Sequence, residues 1–335
     1  MRLLIVTQVV DIEHPILGFF HRWLEEFAKN CETVEVICLE AGKHSLPANV
    51  TIHSLGKEEG KGRLVYLWRF FKLTWTLRKN YDSVFVHMNQ VYVLLGGLLW
   101  RISGKRVGLW YMHGTVSPSL KLAEKITNKI FTGSKESCRI ESNKIIITGH
   151  GIDTEKFKIE NCNKDLDLIT VGRITESKNL KTLIDILEEV RSKNEVTLTI
   201  VGGAVTASEQ GYENELKEYI KNKGLTEKVI FYGRVNQEAL PNILNRAKVF
   251  VTTAKNGSLD KAVLEAMACG LPAVSMAEGT RSLPLDETQV SNKEEFIVQV
   301  KKVLESNVFS DESNRICVET QHSLKSLIPK ILSDL

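Results

Sequence analysis

Short, continuous apolar runs alternate with helix-length amphipathic segments along nearly the whole chain, and the series runs twice. The first pass offers strands at Leu3–Thr7, Val34–Leu39, Val84–His87, Val107–Met112 and Ile145–Thr148, with helices near 17–29, 62–79, 89–102 and 119–128. The second offers strands at Leu166–Val171, Thr197–Val201, Val229–Tyr232, Val249–Thr253 and Ala273–Met276, with helices near 179–193, 211–224, 237–246, 260–268 and 293–305. Strands that are apolar throughout belong in a parallel sheet with both faces covered by helices. Two such series predict an α/β protein with two doubly wound, Rossmann-like domains.

The polar segment GHGIDTEKFKIENCNKDLD, near the middle of the 335 residues, separates the series. The expected division is an N-terminal domain over 1–152, a C-terminal domain over 153–318, and a last helix over 319–335 packing back on the first domain. In open α/β sheets, ligands bind beyond the carboxyl ends of the strands. With two such domains, the cleft between them is the expected site.

Composition narrows the function classes. A formal charge of +3 gives no support for a dedicated nucleic-acid binder. The six cysteines have no CxxC spacing and read as thiols in a reducing cytoplasm, not as a disulfide frame or zinc site. Met1-Arg2 leads straight into LLIVT, which reads as a first strand and not as a signal segment. The longest apolar run, Val91–Trp100, is half the ~20 residues a bilayer span needs. The basic, aromatic segment GRLVYLWRFFKLTWTLRKN has the residues of a membrane-surface helix. Arg63, Arg69, Lys72 and Arg78 spread around it, however, so a core helix with snorkelling ends is the expectation and peripheral membrane contact stays open.

Two stretches carry the chemistry. In LITVGRITESKNLKTLIDIL, Gly172 and Arg173 end a strand and Lys178 precedes a helix. Two cations about a strand-to-helix turn suit a diphosphate, with the helix N-terminus adding partial positive charge; the alternative is a pair of solvated loop charges. In GSLDKAVLEAMACGLPAVS, Gly257-Ser258-Leu259 is a small-residue turn whose backbone N–H groups suit close approach to a ligand. Asp260 opens a helix, and Glu265 sits a turn and a half inside it. A carboxylate there suits two adjacent sugar hydroxyls, the alternative being a solvent-facing helix glutamate.

VGRITESK followed by VLEAMACGLPAVS resembles the donor-binding domain of the family 4 retaining glycosyltransferases, which have the GT-B fold. IITGHGIDTEKF, VIFYGRVNQEALPNILNRAKVFV and IFTGSKES resemble the family's interdomain segment, its unit beside the nucleotide base, and its strand-plus-serine element. The likeness is close over about Phe131–Val274 and loose before that. It implies donor contacts from Gly172, Arg173, Lys178, Arg234, Val235, Gly257, Ser258, Leu259, Asp260 and Glu265, with Arg173 and Lys178 on the diphosphate and Glu265 on the ribose. It implies a catalytic His113 at a strand end facing the donor sugar, and a weaker carry-over of the phosphate-loop glycine to Gly18. His87, which also ends a strand, is the candidate acceptor contact.

One position departs from the pattern. The first acid of the family's E-x7-E motif falls on Gly257, so Asn256, Ser258 or Asp260 would have to stand in. The activity implied is retaining, hexosyl-type transfer from a nucleotide-diphosphate sugar to a glycan, lipid-linked or small-molecule acceptor. It is expected to be cytoplasmic, at most peripheral at the inner membrane face, with no cofactor and no divalent metal. Rival readings are a sugar-nucleotide-binding protein with weakened catalysis and a GT-B sugar-nucleotide epimerase.

Overall fold

The computed structural model describes residues 1–191, 195–255 and 257–335, and the chain divides into two compact units, 1–153 with 323–335 and 154–322. In the first unit the elements are β1 (Arg2–Val10), α1 (Phe19–Asn30), β2 (Thr33–Ala41), β3 (Val50–Ser54), α2 (Arg63–Thr76), β4 (Ser83–His87), α3 (Val91–Ile102), β5 (Arg106–Trp110), α4 (Pro118–Ile126), β6 (Lys129–Thr132) and β7 (Ile145–Ile147). Among the described residues its sheet has the order β3-β2-β1-β4-β5-β6-β7, and every pairing is parallel. β1 is an interior strand: Leu3 is in register with Val34 on one side and Ser83 on the other. That placement explains why LLIV is apolar throughout, since Leu3, Leu4, Ile5 and Val6 are all fully buried.

In the second unit the elements are β8 (Leu166–Val171), α5 (Leu180–Val190), β9 (Leu198–Val201), α6 (Ala207–Asn222), β10 (Val229–Gly233), α7 (Leu240–Asn245), β11 (Ala247–Thr252), α8 (Lys261–Ala268), β12 (Ala273–Ser275), α9 (Lys293–Ser306) and α10 (Glu312–Cys317). Its sheet, again parallel, has the order β10-β9-β8-β11-β12. Both sheets thus reverse winding direction once, between β1 and β4 and between β8 and β11. Such a switch point opens a crevice at the strands' carboxyl ends.

The last helix, α11 (Leu324–Asp334), belongs to the first unit. It buries Leu324, Leu327, Ile328 and Ile331, a single stripe at helical spacing, and packs on α1, which buries Phe20, Trp23, Leu24 and Phe27 in the same pattern. Ser83 Oγ donates to the carbonyl of Leu335 at 3.3 Å, tying the end of the chain to β4.

Three differences from the sequence reading have physical reasons. β3 is an edge strand whose VTIHS residues are half-exposed, so no long apolar run marks it. β6, the strand of the IFTGSKES element, has only four residues, too few to stand out as an apolar run. α2 packs on the core by one narrow face, with Phe70 and Thr74 buried and Tyr66 and Leu73 half-buried against it, while Trp68 and Trp75 are each 61% exposed. In the second unit α5 ends at Val190, and residues 192–194, part of which fell within the expected helix, lie outside the described residues.

Candidate functional site

The second unit's switch point is built from the turns after β8 and β11. Gly172 directly follows β8 with φ +146°, and its N–H donates to the Val201 carbonyl at 2.9 Å. The side chain of Lys178 lies over this backbone so closely that a Cβ at residue 172 would come within 2.7 Å of its Cε. The backbone angle favours glycine there. Asn179 in the left-handed conformation then starts α5, which aims Lys178 back toward the strand end.

Both predicted phosphate cations have acidic partners. Lys178 pairs with Asp260, and both side chains are largely buried. Asp260 also caps α8 by accepting from the Ala262 N–H at 3.2 Å. Arg173, half-exposed, donates to Glu209 at 2.9 Å. Glu209 is the acid of a capping box: Thr206 Oγ1 accepts from its N–H at 3.2 Å, and its carboxylate accepts from Val205 N at 2.6 Å and Thr206 N at 3.1 Å. Those backbone donors, with Arg173 and Arg234 nearby, hold the Glu209 carboxyl below its ordinary range. The site therefore consists of two cations already held by two carboxylates, and not of bare positive charge.

Around α8 the picture also departs from expectation. Gly257 and Ser258 form a bend, Leu259 is buried, and Asn256 lies outside the described residues. Gly279 lies so close behind the turn that a Cβ on it would overlap the carbonyl of Ser258. Glu265 is not a solvent-facing glutamate: it is 3% exposed and pairs with Lys261 one turn earlier. Lys261 in turn lies 3.5 Å from Gln237 Oε1. At the other end of α8, Arg315 donates to the carbonyl of Ala268 at 2.7 Å and to Phe157 at 3.0 Å, which fixes the helix axis. Beyond β9 and β10, Gly202 packs against the Gly172 carbonyl, and exposed Arg234 passes over Gly203 with Val235 beside it.

Asp260, one of the residues proposed to replace the missing acid, is thus already engaged by Lys178 and by its own helix. Glu209, Lys261 and Gly202 were missed in the sequence. Glu209 had a readable signal, since Thr206-x-x-Glu209 is a capping-box spacing at a helix start. Lys261 sits four residues before Glu265 on one helix face, which is also readable.

In the first unit the structure corrects one of the three predicted residues, His87. His87 is 1% exposed and cannot face an acceptor. Its ring stacks on Phe20 at 3.8 Å between centroids, Trp23 lies at 5.9 Å, and Nδ1 is 3.1 Å from Thr7 Oγ1. Burial, with His150 nearby, lowers its pKa to about 3, so it stays neutral. Gly18 precedes α1 with ordinary helical angles, and a Cβ on it would press on the carbonyls of Ile12 and His14 at 2.8 Å. In the same turn His14 Nδ1 accepts from Leu17 N at 3.0 Å. His113 is exposed beyond β5, its Nδ1 accepting from Thr115 N at 3.2 Å, which leaves its other ring nitrogen to the outside.

Among the described residues no cluster of three or more His, Cys, Asp or Glu side chains gathers in metal-binding geometry, and no helix is long and apolar enough to cross a membrane.

The sequence model of the family described as "Glycosyl transferases group 1" matches residues 151–319. Mannosylfructose-phosphate synthase of Agrobacterium fabrum is 33% identical over 115 residues, 33% of this chain and 25% of that protein. The UDP-Gal:alpha-D-GlcNAc-diphosphoundecaprenol alpha-1,3-galactosyltransferase of Escherichia coli is 24% identical over 286 residues, 74% of this chain and 71% of that protein. The chain thus spans only a quarter of the first relative and most of the second. Anabaena HepE in complex with UDP has a similar fold, with TM-score 0.78, 19% identity and full coverage of both chains. Sucrose-phosphate synthase of Thermosynechococcus elongatus does too, with TM-score 0.79, 14% identity and coverage of 99% and 98%.

Proposed function

From the premise that the chain belongs to the group 1 glycosyl transferases and has the GT-B fold, we propose that it moves a hexose from a nucleotide-diphosphate sugar to a glycan, lipid-linked or small-molecule acceptor. The observation that carries this reading is the pair of cations at the switch point of the second unit, Arg173 after β8 and Lys178 folded over Gly172. Transfer breaks the bond between the anomeric carbon and the departing phosphate oxygen and forms one to the acceptor oxygen. Negative charge grows on the diphosphate as the sugar becomes oxocarbenium-like. Arg173, Lys178 and the N-terminus of α8 are the preorganised positive groups that stabilise it, which is why the reading is metal-independent. The acceptor's proton goes to the departing phosphate oxygen, and the anomeric configuration is retained.

The carboxylates Glu209 and Asp260 hold the two cations in place before the donor arrives. A diphosphate engages the remaining donors of Arg173, whose guanidinium has five N–H groups and spends one on Glu209. Glu265 is proposed to meet the nucleotide ribose and His113 the donor sugar. Among relatives, UDP and UDP-glucose are bound by Anabaena HepE, which favours uridine donors as the first to try.

The test is a thermal-shift panel of UDP-, GDP-, ADP- and CMP-sugars, followed by product analysis with the stabilising donor. A donor at a hundred times its Kd should stabilise the fold by about 2.7 kcal/mol. No shift with any nucleotide sugar would remove the reading. Stabilisation without transfer to any acceptor would favour a sugar-nucleotide-binding protein, a reading supported by Gly257 in place of the first motif acid.

A further inference from the structure

Residues 60–123 contain ten lysines and arginines but one acid, Asp82, and two of those cations, Lys61 and Arg69, pair with Glu59 just before the segment. The same segment holds an unpartnered apolar surface. On α2, Leu64 (82% exposed), Trp68, Phe71 and Trp75 recur at spacings of four, three and four residues, which places them on one outward stripe. Beneath them Phe70 packs on Tyr92 and Trp100 of α3. Each exposed tryptophan carries a cation: Lys72 Nζ lies 4.8 Å from the Trp68 ring and the Arg78 guanidinium 4.1 Å from the Trp75 ring.

Isolated exposed apolar residues are ordinary, but a contiguous stripe with two tryptophans marks an interaction surface. We propose that the outward stripe of α2 docks on an anionic lipid bilayer surface, with Trp68 and Trp75 seated in the interface and Lys72 and Arg78 on the headgroups. Charge decides the occupant. A second copy would set this cation-rich face against an identical one, whereas an anionic membrane complements it, and amphipathic tryptophan rings beside cations suit the headgroup boundary. Of the basic residues that spread around α2 in projection, Lys72 and Arg78 fold back over the tryptophans, while Arg69 pairs with Glu59. The surface lies wholly within the first unit, apart from the cations proposed to hold the donor in the second.

The experiment is flotation of the purified protein with phosphatidylcholine vesicles and with vesicles that also contain phosphatidylglycerol, at low and high salt. The native protein should float with the anionic vesicles and release as salt rises. Trp68→Ser with Trp75→Ser should abolish flotation, and Lys72→Ala and Arg78→Ala should each weaken it about fivefold. All four side chains are at the surface, and an unchanged melting temperature checks folding. Native protein that floats with neither vesicle, or tryptophan variants that float as well as the native protein, would overturn the proposal. So would a native dimer that the tryptophan variants convert to monomer, since a second copy would then cover the face. Arg173→Ala should float normally; its flotation keeps failure of the docking proposal distinct from failure of the transferase reading.

Discussion

The two units share one strand order over five strands, the first adding two more at one edge, and fill its switch point in opposite ways. Where β1 and β4 part, the first unit holds Thr7, His87, Phe20 and Trp23, stacked and buried with a histidine kept neutral. Where β8 and β11 part, the second unit holds Arg173, Lys178, Glu209 and Asp260, four charged groups in two ion pairs. A crevice is a consequence of strand order, but what it does depends on the residues at the strand ends. In this molecule the same architectural place is core in one half and a charged site in the other.

The largest effect that tests this contrast should come from the buried stack. Trp23 is fully buried, lies 5.0 Å from Trp110 between ring centroids, and donates to the Gly151 carbonyl at 3.3 Å. Trp23→Ala should lower stability by about 3–5 kcal/mol, read by urea unfolding. Nucleotide affinity per folded molecule should hold, and a matching loss of affinity would erase the distinction between the two places.

Next come the cations. Arg173→Ala or Lys178→Ala should weaken nucleotide-diphosphate binding by about 1.5–3 kcal/mol, measured by calorimetry, as expected for one charge-assisted contact. Lys178→Ala also strands Asp260, so its melting temperature should drop more than that of Arg173→Ala, whose partner is tied to the backbone of α6. Unchanged affinity in both variants would remove the diphosphate assignment.

A smaller effect separates the two switch points by pH. The His87 pKa is about 3 in the folded protein against an ordinary 6.5, so below about pH 6.5 the unfolded chain binds the proton and the folded one does not. Stability should therefore fall as pH drops from 6.5 toward 3, by at most about 1.4 kcal/mol per pH unit from this group. His322, in the second unit and lowered to about 4 by burial, adds a slope of the same sign. His87→Phe keeps a ring on Phe20 and should flatten the first contribution while leaving transfer intact. A pH profile of unfolding identical to that of the native protein would show that His87 is not held neutral.

The smallest expected change is that of Glu265→Gln, which preserves shape and removes a charge paired to Lys261. Nucleotide affinity should fall by about 1 kcal/mol, within the range of a single hydrogen bond. If affinity holds and kcat alone collapses, Glu265 takes part in the transfer step and does not clamp the ribose.

Much of this was legible in the residues themselves. Runs such as LLIV and LDLITV show both-face burial, and their alternation with amphipathic helices dictates two parallel sheets, because hydrophobic period is a local property. Gly172, Arg173 and Lys178 were legible as a turn with cations for the same reason: sequence spacing places them about one strand end. Partnership across sequence was not legible. Asp260 is 82 residues from Lys178 and Glu209 is 36 from Arg173, and only the parallel order of β8, β9 and β11 brings those pairs together. Exposure was decided at the same level. His87 and His113 each end a strand in the sequence, yet packing of α1 on the sheet buries the first while the second stays at the surface. Trp68 and Trp75 look like core residues by type, but each helix has one face to bury, and on α2 Phe70 and Thr74 occupy it.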